Sequence, residues 1–113
     1  MRSPLEDPLG QQKTTALLVD CHLSASELLS RFLGRESELT VIGEAQSGLE
    51  GLRLFRRFRP ALVITSLELP ELNGPDMILE MQREGTAKYI VYTGCQNPSL
   101  IRAAFDTKPN GFI

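Results

Sequence analysis

Four side chains stand where short apolar runs of this 113-residue chain end. Asp20 and Cys21 follow Ala16-Leu17-Leu18-Val19, Ser66 follows Ala61 to Thr65, and Thr93 follows Tyr89 to Tyr92. If the runs are strands of an open parallel sheet, these are the residues that meet a ligand, because such sheets bind just past the carboxyl ends of their strands. Their chemistry is sparse: one carboxylate, one thiol and two hydroxyls. A hard cation such as Mg²⁺ is held through one or two carboxylates plus further oxygens, so a single acid makes a poor cation site. A serine hydroxyl is a weak nucleophile without an adjacent base, and none is evident for Ser66. Cys21 precedes a helix start, where the dipole favours a thiolate. A cysteine phosphatase loop needs an arginine six residues on, however, and this chain has Glu27 there, which repels phosphate. Cys21 and Cys95 therefore read as inert free thiols. No G-x-G-x-x-G, G-x-x-x-x-G-K, H-E-x-x-H or G-x-S-x-G motif is present.

The elements that must position these residues recur with a steady spacing. Apolar or β-branched runs begin near Thr15, Leu39, Ala61, Lys88 and Gly111, 22 to 27 residues apart, which suits successive strand–helix units. Ser24 with Glu27, and Ser47 with Glu50, have capping-box spacing. Behind the first lies an apolar stripe of Ala25, Leu28, Leu29, Phe32 and Leu33 that Gly34 ends. Behind the second, Leu49, Leu52, Phe55 and Phe58 are expected to face inward, with Arg59-Pro60 as the stop. Asn73-Gly74-Pro75 and Asn97-Pro98 open two further helices with proline at the first helical position. Met77, Ile78 and Met81 are expected in the core. Ala61 to Thr65 is apolar throughout, as a central strand covered on both faces would be. Residues 1–14 read as a flexible leader and 15–113 as the domain; the last strand, Gly111-Phe112-Ile113, stops as it starts, so the domain is expected to be C-terminally incomplete.

Composition excludes several classes. Twelve Lys plus Arg against 14 Asp plus Glu leave a net charge of −2, so no general attraction to nucleic acid follows. The longest apolar runs are far below the ~20 residues of a membrane span, and no signal-peptide pattern opens the chain, so a cytoplasmic protein is expected. Arg53, Arg56, Arg57 and Arg59 crowd one helix and read as a solvated outer face.

The motifs from Ala16 to Ile113 together resemble the receiver domains of two-component response regulators, the CheY-like family. Val19-Asp20-Cys21-His22 is similar to the family's apolar run closed by two acids, and Ile64-Thr65-Ser66-Leu67-Glu68-Leu69-Pro70 to its phospho-acceptor segment. Val41-Ile42-Gly43-Glu44-Ala45 with Ser47-Gly48 resembles receivers that precede a LuxR-type DNA-binding module. Val91-Tyr92-Thr93 resembles the strand with the switch hydroxyl, and Phe112 takes the place of the switch aromatic. The resemblance implies a flavodoxin-like, doubly wound three-layer α/β/α sandwich with strand order 2-1-3-4-5, here truncated in the fifth strand.

Departures decide the functional expectation. The family's second acid, its direct Mg²⁺ ligand, falls on Cys21, and its aspartate nucleophile falls on Ser66; Asp20 and Thr93 match. The family's lysine would lie two places beyond Ile113. The resemblance therefore implies an atypical receiver that is not an enzyme, has no cofactor and holds Mg²⁺ weakly or not at all. It would work through a protein partner such as a histidine kinase, a regulator or a second copy of itself, ahead of a DNA-binding output domain. A stand-alone adaptor using the last two strands and helices is the alternative, and a Cys21 phosphotransfer enzyme a more distant one.

Overall fold

A computed structural model describes residues 14–22, 27, 39–92 and 97–112, with only the backbone of Tyr92 and Phe112. Five strands pair in parallel: β1 Thr14–Val19, β2 Leu39–Ala45, β3 Leu62–Ser66, β4 Lys88–Tyr92 and β5 Gly111–Phe112. Their order is β2-β1-β3-β4-β5, as expected, with β3 in the centre. Thr14, placed at the end of the leader, already pairs with Leu39. Three described helices follow strands: α1 Gly48–Phe58, α2 Gly74–Glu84 and α3 Pro98–Asp106. The expected helix behind Ser24, with its stripe and Gly34 stop, lies outside the described residues, as do residues 1–13, Thr93 and Cys95.

Alternation along the strands splits the core into two faces. Leu17, Val19, Val63, Tyr89 and Val91 join Leu52, Phe55, Met77, Ile78, Met81 and Ala104 from the helices, while Ala16, Leu18, Leu62 and Ile64 form a second buried cluster. A sheet that buries apolar side chains on both faces is the middle layer of a sandwich. The β1–β2 register shifts between Ala16 and Leu17, which pair with Val41 and Gly43; Ile42 is the extra residue of a bulge on the edge strand.

Local chemistry explains the helix ends. Ser47 Oγ accepts the Glu50 N–H at 3.1 Å, but the Glu50 carboxylate turns to the Gln46 N–H at 2.9 Å, so the capping box is reciprocated one residue early. Asn73 Oδ1 accepts from the Asp76 N–H at 2.9 Å. Gly74 takes the first helical position, which moves Pro75 to the second. Asn97 caps α3 with Pro98 at its first position, as expected. Arg59 ends α1 in the left-handed region, φ 47°, and its guanidinium donates to the Glu84 carbonyl at 2.9 Å.

Two core expectations fail. Leu49 and Phe58 are 52% and 43% exposed, because the buried stripe of α1 runs through Gly48, Gly51, Leu52 and Phe55. Two glycines let the helix axis approach the sheet and α2: a Cβ on Gly51 would meet Met77 Sδ at 2.8 Å and Val19 Cγ2 at 3.0 Å. That rotation turns Leu49 out and leaves Phe58 at the flank, with the Arg57 guanidinium 5.5 Å above its ring.

Candidate functional site

The strand register brings the sequence-selected residues to one end of the sheet. Val19 pairs with Thr65, so Asp20 and Ser66 follow on adjacent strands, and Ser66 pairs with Tyr92 on β4. Asp20 is nearly buried; its backbone N–H donates to the Ala45 carbonyl at 2.9 Å, and its Oδ1 accepts the His22 N–H at 2.8 Å. One oxygen of the carboxylate is thus engaged in holding the turn after β1. Cys21 is half-buried with a free thiol, and His22 is exposed.

A cleft of about 250 Å³ opens beside them, lined by Asp20, Cys21, His22, Glu44, Ala45, Gln46 and Glu50. The sequence reading did not single out Glu44 and Glu50 as cleft residues. Their signal was available: Glu44 is one residue from the end of β2 and Glu50 sits in the first turn of α1, both at the carboxyl end of the sheet. The cleft contains three carboxylates and no Lys or Arg side chain. Among the described residues no group of three or more His, Cys, Asp or Glu side chains is arranged to hold a metal ion.

Ser66 does not line this cleft. The sequence suggests a hydrogen-bonded hydroxyl, but its Oγ is sealed from solvent without a hydrogen-bond partner. Its carbonyl is crowded instead: the Thr65 hydroxyl donates to it at 2.8 Å, and a Cβ on Gly74 would stand 2.4 Å from it. The segment after Ser66 is anchored by Leu67, fully buried, by the Gly74 N–H donating to the Leu67 carbonyl at 2.9 Å, and by the Gly48 N–H donating to the Pro70 carbonyl at 3.3 Å. Glu71 turns through the left-handed region at φ 71°. Phe112 pairs with Val91 through its backbone, and Thr93 lies outside the described residues.

The four arginines of α1 divide. Arg56 makes a bidentate pair with Glu84 of α2 at 2.7 and 2.6 Å, which holds the Glu84 carboxyl below the ordinary carboxylate range. Arg59 caps, and Arg53 and Arg57 are solvent-exposed.

Comparison with known proteins fits this architecture. Residues 16–113 match the model of the response regulator receiver domain family. The transcriptional regulatory protein YdfI of Bacillus subtilis is 26% identical over 97 residues, covering 86% of this chain and 46% of that protein. The nitrate/nitrite response regulator protein NarL of Escherichia coli K12 is 26% identical over 88 residues, covering 78% of this chain and 41% of that protein. The chain thus spans less than half the length of these relatives. A LuxR-family two-component response regulator from Aurantimonas superposes with a TM-score of 0.73 at 27% identity, over 89% of this chain and 73% of that one. The response regulator domain of Thermotoga maritima CheB shares the fold at 19% identity, with a TM-score of 0.76 over 90% of this chain and 78% of that one. With the strand order, the two-faced core and the match over residues 16–113 in agreement, the chain belongs to the response regulator receiver domain family.

Proposed function

We propose that this receiver has lost the phosphorylation switch and acts as a scaffold that signals by protein contact. The observation that carries the reading is Ser66 at the carboxyl end of the central strand, where the family resemblance places the aspartate that forms an acyl phosphate. A hydroxyl can form only a phosphate ester, which lacks the lability of a mixed anhydride, and the Ser66 hydroxyl has neither a base beside it nor exposure to a donor.

The donor set also argues against Mg²⁺. The family's direct ligand falls on Cys21, a soft thiol in place of a hard oxygen, and Asp20 has one oxygen occupied by the His22 N–H. These residues do not fit the ion, so no phosphoryl-transfer step runs through it. An enzymatic Cys21 is disfavoured by the same cleft: Glu44 and Glu50 line it without a Lys or Arg and oppose an incoming phosphate.

The contact would be made with a histidine kinase, another regulator or a second copy, inside the cytoplasm. The names of YdfI and NarL, together with the chain's covering less than half of each, support a receiver that precedes a DNA-binding output segment in a transcriptional regulator. No helix among the described residues is long and apolar enough to cross a membrane.

Restoration is the test. Cys21→Asp with Ser66→Asp returns the missing acid and nucleophile, and the double variant is expected to gain Mg²⁺-dependent label from acetyl phosphate, removable by hydroxylamine. Ser66→Asp alone, with its cation site still incomplete, is expected to label weakly. A natural chain that labels as strongly as the double variant contradicts the proposal.

A further inference from the structure

The net charge of −2 conceals a division of charge along the strand axis. The strands are parallel and the described helices run back against them, so the ends of the elements mark two poles. At the carboxyl pole, Asp20 follows β1, Glu68 and Glu71 follow β3, and Asp76 lies in the first turn of α2. At the amino pole, Arg57 lies in the last turn of α1, Lys88 opens β4, and Lys108 stands between α3 and β5. Arg56 and Arg83, near the same pole, are paired with Glu84 and Glu80, and Asp106 is the remaining acid there among the described residues.

Glu68, Glu71 and Asp76 on one side, and Arg57, Lys88 and Lys108 on the other, are all exposed. Among the described residues none of the six pairs with an opposite charge. Compensation of helix dipoles accounts for Asp76 and Arg57. It does not account for Glu68 and Glu71, in a loop, or for Lys88, on a strand. The five residues of β3 set the poles roughly 16 Å apart, beyond the Debye length of about 10 Å at 0.1 M salt, so neither pole neutralises the other within one molecule.

We infer that copies of this chain associate head to tail, the basic amino pole of one seated on the acidic carboxyl pole of the next. Charge complementarity favours a second copy over an unrelated partner: an acidic or a basic partner engages one pole and leaves the other unmet, whereas a second copy presents both signs. The two surfaces differ, so the interface is heterologous and each added copy leaves a free pole at either end. The charges are exposed and the pairs screened, so the association is weak, reversible and lost at high salt. The inference deepens the proposed function by naming the protein contact, and it rests on that reading only for its role in signalling.

Sedimentation equilibrium of the chain without any phosphate donor, at low salt and up to about 1 mM, tests this. The expected result is a mass that rises with concentration, shows no plateau at the dimer, and falls to the monomer at about 1 M salt. Two variants each silence one pole: Glu68→Gln with Glu71→Gln and Asp76→Asn, and Arg57→Gln with Lys88→Gln and Lys108→Gln. Each alone is expected to associate roughly tenfold or more weakly than the natural chain. Mixed in equal amounts, they are expected to form a one-to-one dimer that grows no further, because each supplies the pole the other lacks. Circular dichroism establishes that each variant is folded before it is read. A natural chain that stays monomeric, a plateau at the dimer, growth that salt leaves unchanged, a silenced variant that associates as well as the natural chain, or a mixture no heavier than its components overturns the inference. These outcomes are separate from phosphorylation: a monomer that takes no label removes only this inference, and a chain that associates head to tail yet takes label removes only the proposed function.

Discussion

The Leu72 carbonyl oxygen occupies the space a side chain on Gly48 would need, 1.9 Å from the position of its missing Cβ. The first turn of α1 and the segment after Ser66 are therefore in backbone contact, fastened by the Gly48 N–H to the Pro70 carbonyl. Gly48→Ala must push these backbones apart. It is expected to destabilise the fold by about 2–3 kcal/mol, measured by urea denaturation, with the larger share in faster unfolding. An unchanged midpoint would mean that the segment is free to move away.

Ser66→Ala should have the opposite character. The hydroxyl is buried without a partner, so its removal deletes an uncompensated polar group and leaves a methyl in its place. Stability is expected to stay level or rise by about 1 kcal/mol. A loss of more than that would reveal a hydrogen bond the site depends on.

Tyr89 carries a pH signature. The residue is 3% exposed and its hydroxyl has no partner, so burial pushes the phenol from 10 up to about 12. Between those values the unfolded chain gives up the proton and the folded one keeps it. Stability is therefore present below the ordinary tyrosine pKa and is lost as pH climbs through the window from 10 to about 12. Tyr89→Phe is expected to remove this slope and to stabilise the protein by about 1 kcal/mol at neutral pH. Thermal unfolding of both proteins across alkaline pH checks the two effects together.

Glu84 runs the other way. Its lowered pKa, set first by the hydrogen bond from Arg56, adds stability above the ordinary carboxylate range that is lost as pH falls through the lowered value. Both side chains are solvent-accessible, so the expected effect of Glu84→Gln is a small drop in Tm at neutral pH that added salt diminishes.

Glu71 is a non-glycine residue in the left-handed region, in a turn that it does not cap by any described hydrogen bond. Glu71→Gly relieves that conformation but enlarges the unfolded ensemble. The net expectation is a gain of about 0.5 kcal/mol in chemical denaturation, and a loss would show that the Glu71 side chain holds the turn.

Local chemistry made much of the fold legible. Ala61 to Thr65 declared a strand buried on both sides, and Ser47, Asn73 and Asn97 declared helix starts, because caps and alternation are decided within a few residues. The orientation of α1 was not legible, since Gly48 and Gly51 act through Leu72 and Met77, which lie more than twenty residues away in the chain. The same holds for the site. Asp20, Cys21 and Ser66 were identifiable as strand-end residues, but the acidic surroundings supplied by Glu44 and Glu50 follow from the pairing of β2 with β1. That the Ser66 hydroxyl is buried without a partner is a matter of packing that residue type does not disclose.

The central claim is that Ser66 cannot serve as a phosphoryl acceptor, and intact-protein mass spectrometry of the natural chain after exposure to acetyl phosphate and Mg²⁺ tests it most directly. The account predicts an unchanged mass under conditions that label an aspartate-bearing receiver. A phosphate-sized gain that resists hydroxylamine and maps to Ser66 would contradict it.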